Sequence, residues 1–198
     1  METILLNEKI GLVTSFRQLI DENGTHIPPL PGTERLFEGD THIEGPSLAR
    51  MILNNGKNLI GEPTTVLFRR AAINQYFGWF GQEEYVTLSD VATWLNIMSK
   101  FNCVYLPEAL SYFRLHGGQD QKRESIGLLS NIEWLRLLCN SLENGYFFSD
   151  EKIGKDLLNI KLISSINYLH DNENVILADE VIRKNVNVAI QRATGLLF

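Results

Sequence analysis

Asp90 stands just before an apolar-periodic stretch in which Val91, Trp94, Leu95 and Met98 fall on one helical stripe. A carboxylate held at a helix mouth has a fixed direction and can take a proton from a hydroxyl within hydrogen-bond reach. The spacing Thr87-x-x-Asp90 also spells a capping box, in which the acid satisfies backbone N–H groups, and both roles can coexist. Arg114 and His116 are two apart on an expected strand, so their side chains share a face. A cation beside an imidazole suits a cleft for a diphosphate or a metal; the plainer reading is a pair of surface hydrogen bonds at a sheet edge. Glu62, Thr64 and Thr65 border another short strand, where they either line a cleft or do ordinary turn chemistry. Trp79 and Phe80 have ring faces that fit the apolar faces of a pyranose, or equally a core. Arg69-Arg70 reads as a phosphate contact or a solvated helix start, and Gln82-Glu83-Glu84 as a reader of hydroxyls or an exposed acidic turn. His26, His42 and His170 have no companions at ligand-like spacing and read as loop or surface residues.

The elements that would position these groups divide near residue 120, giving an expected α/β part over 1–120 and a helical subdomain over 121–198. Ile10–Ile20 reads as a strand, followed by Asn23-Gly24, the dipeptide of a tight hairpin turn. The Pro- and Gly-rich segment from Pro28 to Gly45 reads as an irregular loop. Pro46–Asn54 reads as a short helix with Gly56 just beyond its end. Thr64–Phe68 is an expected strand, with a short helix near Arg70. A helix is expected over Asp90–Lys100, then two strands, Cys103–Leu106 and Leu110–His116. Three helices close the chain, near Glu124–Leu142, Asp150–His170 and Val175–Thr194, with Ser149 and Asp171 as N-caps of the second and third. Leu128, Ile132, Leu135 and Leu142 mark the inner face of the first; Leu157, Ile160, Ile163 and Leu169 mark that of the second.

Composition narrows the function classes. With 198 residues, 44% hydrophobic and 21% charged, the chain fits an ordinary globular protein. A net charge of −6 argues against a phosphate backbone or an anionic lipid surface as partner. No apolar run approaches the ~20 residues that span a bilayer, and the N-terminus lacks a cationic start before an apolar core. Cys103 and Cys139 lie in apolar surroundings and read as buried thiols, so a cytoplasmic protein is expected.

From Gly61 to Arg123 the residues form an ordered series. Gly61-Glu62-Pro63 opens a strand ending in Arg69-Arg70, and Gly78-Trp79-Phe80 follows. Ser89-Asp90 then opens a helix carrying Trp94. The series closes with Tyr105, Pro107, Leu110, Phe113 and His116. This series resembles the second half of a GT-A-fold, inverting family-two glycosyltransferase. With the strand from residue 9 and the Ile20-Asp21-Glu22-Asn23-Gly24 turn, the resemblance covers roughly residues 9–123. One departure stands out: Ser89 occupies the place of the first acid in the family's paired acidic motif.

The resemblance implies a partial GT-A-like mixed sheet with flanking helices and a C-terminal helical bundle. It implies transfer of a sugar from a nucleotide-sugar donor to a glycan, lipid or protein acceptor, with inversion and with Asp90 as base. It assigns Glu62, Thr64, Trp79, Trp94 and Arg114 to substrate, and His116 to a divalent metal, Mg or Mn, of the complete enzyme. No Asp-x-Asp pair occurs in the chain, and the nucleotide-binding βαβ units of the family would precede it. The chain is therefore expected to be an acceptor-side half, inactive alone. Its unpaired sheet edge is expected to be covered by the terminal helices or by a second copy in a homodimer. A non-catalytic interaction module that keeps the family's outline is the competing expectation.

Overall fold

A computed structural model of the protein describes residues 7–117 and 124–198. The expected boundary at residue 120 lies outside the described residues. The chain has mixed α/β architecture, with a four-stranded sheet that contains both parallel and antiparallel pairs. By contact it forms two compact units, one made of residues up to Glu84 with Ser89–Gly117, the other of Tyr85–Leu88 with the remainder to Phe198.

The first unit is organised by strand β1, Ile10–Ile20, buried along nearly its whole length. Such a strand must be covered on both faces, and its polar residues Thr14, Ser15 and Arg17 are buried along with its apolar ones. Its neighbours are β2 (Thr41–Ile43), β3 (Val66–Phe68) and β6 (Asn102–Arg114), in the order β2-β6-β1-β3. Strand β6 runs parallel to β1 from Ile10↔Asn102 to Ile20↔Arg114; β2 and β3 are antiparallel edges. The two strands expected around residues 103–116 are therefore one. Pro107 reads as a break in sequence, but the register slips between Ser15 and Arg17 while Leu106 through Ser111 pass by. An irregularity of this kind accommodates a residue with no backbone N–H without ending the strand.

Helix α1, Gly45–Asn55, has Pro46 in its first turn and ends on Gly56 in the left-handed region (φ 59°). Gly45 is obligatory for a different reason. A Cβ there would stand 2.0 Å from the Phe101 carbonyl oxygen. Helix α2, Ser89–Met98, is buried on every residue from Val91 to Met98, so the expected stripe is only part of its buried surface. A short hairpin, β4 (Trp79–Phe80) with β5 (Glu83–Glu84), packs beside it.

Several local expectations change. Pro63–Thr65 forms a tight 3-10 turn, so the strand expected from Thr64 begins only at Val66. Arg70–Ala72 is likewise a single 3-10 turn. The Asn23-Gly24 turn forms, tied by Asp21 Oδ1 to the amides of Asn23 and Thr25, but the returning chain pairs only at the Ile20–His26 bridge. The Pro28–Gly45 segment is irregular apart from β2.

The second unit is a bundle of α3 (Glu124–Glu143), α4 (Glu151–Asp171) and α6 (Glu180–Leu197), with a short α5 (Glu173–Ala178) between the last two. Asp150 and Asp179 cap α4 and α6, not Ser149 and Asp171: their carboxylates accept from Lys152 N and from Val181 and Ile182 N. The α3 face holds as expected at Leu128, Ile132 and Leu135. On α4 the inward face is Gly154, Leu158, Leu162, Ser165 and Leu169, while Ile160 is 66% and Ile163 54% exposed. Both stripes are apolar, so hydropathy cannot choose between them. Gly154 chooses: a Cβ on it would meet Leu142 Cδ2 at 2.4 Å, so this face alone lets the preceding chain approach closely.

Among the described residues no helix is long and apolar enough to cross a membrane. Cys103 and Cys139 are free and buried, and burial pushes the Cys103 thiol far above its usual range.

Candidate active site

A lone charge in a buried strand must find partners or not be buried at all. Arg17 is 6% exposed, and its guanidinium sits in a ring of oxygens. Nη2 donates to the Asn58 carbonyl at 3.0 Å and reaches the Gly32 carbonyl at 3.5 Å. Nε stands 3.3 Å from Glu62 Oε2 without the angle of a hydrogen bond. Glu62 thus neutralises Arg17 by charge more than by geometry.

The Asn58–Gly61 turn holds the centre together. Asn58 Oδ1 accepts from the amides of Ile60 (3.2 Å) and Gly61 (2.9 Å), closing the turn locally. Its Nδ2 donates to the Gly61 carbonyl at 3.1 Å and to Asp90 Oδ2 at 2.7 Å. Trp94 Nε1 donates to the same Gly61 carbonyl at 3.0 Å, and Thr14 Oγ1 to the Ile60 carbonyl at 2.6 Å. Gly61 has φ 110°, and a Cβ there would lie 2.7 Å from Arg17 Nη1, so only glycine fits this turn against the guanidinium.

Asp90 therefore faces a built surround. Its other oxygen accepts from the Val91 amide at 2.7 Å. Burial raises its carboxyl above the ordinary aspartate range, opposed by the Val91 hydrogen bond; the nearby Glu62 charge raises it further and Arg17 lowers it. The capping box does not form. The Thr87 amide and hydroxyl both go to Glu133, at 2.9 and 2.7 Å, so Asp90 is not spent on closing a cap with Thr87.

Of the residues singled out in sequence, Glu62, Asp90 and Trp94 come together around Arg17 and Asn58. Thr64 is exposed and lines a separate cavity of about 330 Å³ on the sheet, with Val13, Ser15, Leu106 and Ser111. Trp79 is half-buried on β4, its carbonyl accepting from Asn96 Nδ2 at 3.2 Å. Arg114 lies opposite Ile20, three residues along β1 from Arg17 and so ~10 Å further up the strand. There its Nη1 donates to the carbonyls of Asp21 (3.0 Å) and Glu22 (2.9 Å), tying the turn to the end of β6. His116 is exposed just past that strand. Among the described residues no group of three or more His, Cys, Asp or Glu side chains could hold a metal ion. Sequence reading missed Arg17 and Asn58. The signal for Arg17 was its solitary charge inside a strand with no other ionisable residue.

A partly buried carboxylate with a raised pKa, aimed by an amide and stabilised by a remote guanidinium, is suited to accept a proton from a neutral hydroxyl. A scan of this chain against protein-family models finds no match, and neither do searches of curated proteins and of solved structures.

Proposed function

We propose that the chain is the acceptor-side part of an inverting glycosyltransferase, with Asp90 as the base that deprotonates the acceptor hydroxyl. One observation carries the reading: Asp90, which the resemblance assigns as base, sits at the N-terminus of α2 with its carboxylate held by Asn58 and its pKa raised by burial. In the reaction the acceptor oxygen attacks the anomeric carbon as the bond to the nucleoside diphosphate breaks. The hydroxyl proton passes to Asp90. A base whose pKa is lifted toward neutrality is better matched to that transfer than an ordinary aspartate.

Glu62 and Arg17 tune the base, and Trp94 fixes the floor on which the Asn58–Gly61 turn rests. The nucleotide and any divalent metal belong, on this reading, to a preceding half of the domain, where the family carries its Asp-x-Asp pair. The chain by itself is then without transfer activity.

The test is transfer of labelled sugar from UDP- and GDP-sugars by the protein together with the donor-side half that this reading requires. Asp90→Asn should lower kcat about 10²–10⁴-fold while donor affinity stays unchanged. Equal turnover by the two proteins, or transfer by residues 1–198 alone, would sink the proposal in this form.

A further inference from the structure

Beside α2 the chain exposes a group of aromatic rings that the base and its surround do not use. Tyr76 is 80% and Phe77 45% exposed, and Trp79 is half-buried. Exposed rings usually sit on mobile or sacrificial loops, but this loop is locked. The Gly78 amide, at φ 85°, donates to Thr93 Oγ1 at 2.7 Å. Asn96 Nδ2 donates to Gln75 Oε1 at 2.8 Å and to the Trp79 carbonyl, and Gln75 donates in turn to the Gly81 carbonyl. Three side chains of the buried α2 and its loop thus fix the backbone that carries the rings. Thr93 and Asn96 are buried polar groups whose described bonds serve chiefly that end.

The rings make a shaped surface. Tyr76 and Trp79 meet edge-on at 6.2 Å between centroids with their planes at 61°, so the two rings make a corner. Phe77 stands edge-on to Trp94 at 6.0 Å and 86°, which ties the loop to a side chain one helical turn from Asp90, ~6 Å along the axis. On the hairpin, Trp79 lies directly opposite Glu84, and residues paired in this way project from the same face. The corner therefore combines two ring planes with a carboxylate beside them.

We infer that Tyr76, Trp79 and Glu84 form a preformed subsite for a neutral saccharide ring. The apolar C–H face of the sugar lies on the aromatic corner, and an adjacent hydroxyl donates to Glu84. Apolar faces on a sugar ring match ring faces, equatorial hydroxyls match a carboxylate at the rim, and the locked loop removes the ordering cost that weakens binding by flexible segments. An alkyl ligand has no use for the carboxylate, and an anion is repelled by it. The choice of ligand class rests on the transferase reading, in which this corner holds the acceptor beside the base.

Saturation-transfer NMR on the full chain with cellotriose, maltotriose and chitotriose, without any nucleotide, tests the subsite. At least one trisaccharide should show transfer to its ring protons. Tyr76→Ala should weaken that binding about tenfold, Glu84→Gln should weaken it severalfold, and Tyr76→Phe should keep it. Tyr76 is mostly in solvent, so its loss leaves the fold intact, to be verified by circular dichroism. Absence of transfer from all three sugars, or affinity unaltered in Tyr76→Ala, overturns the subsite. Donor turnover is measured separately. Saccharide binding that depends on Tyr76 keeps the subsite even where sugar transfer proves indifferent to Asp90→Asn, which removes the transferase reading alone; transfer that depends on Asp90 while no saccharide binding depends on Tyr76 removes the subsite alone.

Discussion

Glu133 and Asp90 are both withdrawn from solvent, and they are satisfied to different extents. Glu133 in the helical unit is 5% exposed and is filled with donors: the amides of Val86 and Thr87 at 2.9 Å, that of Leu88 at 2.8 Å and the Thr87 hydroxyl at 2.7 Å. It is a peg that pins the Tyr85–Leu88 segment. Asp90 in the α/β unit is less buried, receives one side-chain amide and one neighbouring backbone N–H, and has Glu62 close by. A fully satisfied carboxylate is structural because nothing is left for it to accept. A partly satisfied one, pushed up in pKa, retains capacity for a proton. Burial alone does not distinguish function from architecture; the count and type of donors does.

The widest separation between the two should come from removing each. Glu133→Ala strips three backbone amides of their acceptor in a buried place, which should cost about 3–5 kcal/mol in urea unfolding. Asp90→Asn should change stability far less; equal destabilisation by both would erase the contrast.

Next in size is Gly154→Ala on α4, where the new methyl meets Leu142 and the Phe148 ring. Overpacking there should cost about 1–3 kcal/mol, whereas Ile160→Ala on the exposed face of the same helix should be nearly neutral. A reversed order of the two urea midpoints would mean that α4 buries its other stripe.

A smaller effect is pH-dependent. Because the Asp90 pKa is raised in the folded state, the folded protein holds this proton more tightly than the unfolded chain. Below the unfolded pKa both states are protonated and the group contributes nothing. As pH rises from the ordinary aspartate range through the folded pKa, the unfolded chain ionises first, and wild type should lose stability relative to Asp90→Asn. Above that window the deficit is constant. Urea midpoints of the two proteins that run parallel across the whole range would contradict the raised value.

The least effect belongs to the Arg192–Glu143 pair on the bundle surface. Its side chains are 23% and 33% exposed, and the contact lowers the Glu143 pKa. Arg192→Ala should cost under about 1 kcal/mol, and less in high salt. Its small share of stability is lost as pH falls through the lowered Glu143 pKa, the opposite sense to Asp90.

Much of the secondary structure was legible in local pattern. Strand β1 spans the expected Ile10–Ile20, and α1 follows from Pro46 and Gly56. Asp90 at a helix mouth was also legible, because a helix start is written in a few consecutive residues. Less legible were the caps of α4 and α6, where several acids compete within a few positions and only the realised turn decides. The single long β6 was hidden by Pro107, whose usual effect on strands is overridden by pairing along the whole of β1.

By itself the sequence determined the class of the fold, the places where chain elements start, and the carboxylate at the start of α2. Those are consequences of periodicity and of backbone rules that act over a few residues. Only the tertiary structure decided that Arg17, Asn58, Glu62, Asp90 and Trp94 meet, that Arg114 binds the turn at Asp21 and Glu22 instead, and which of two apolar stripes α4 buries. These outcomes depend on strand register and close packing between segments far apart in the chain, where a single glycine or a buried guanidinium selects among arrangements that hydropathy leaves equal.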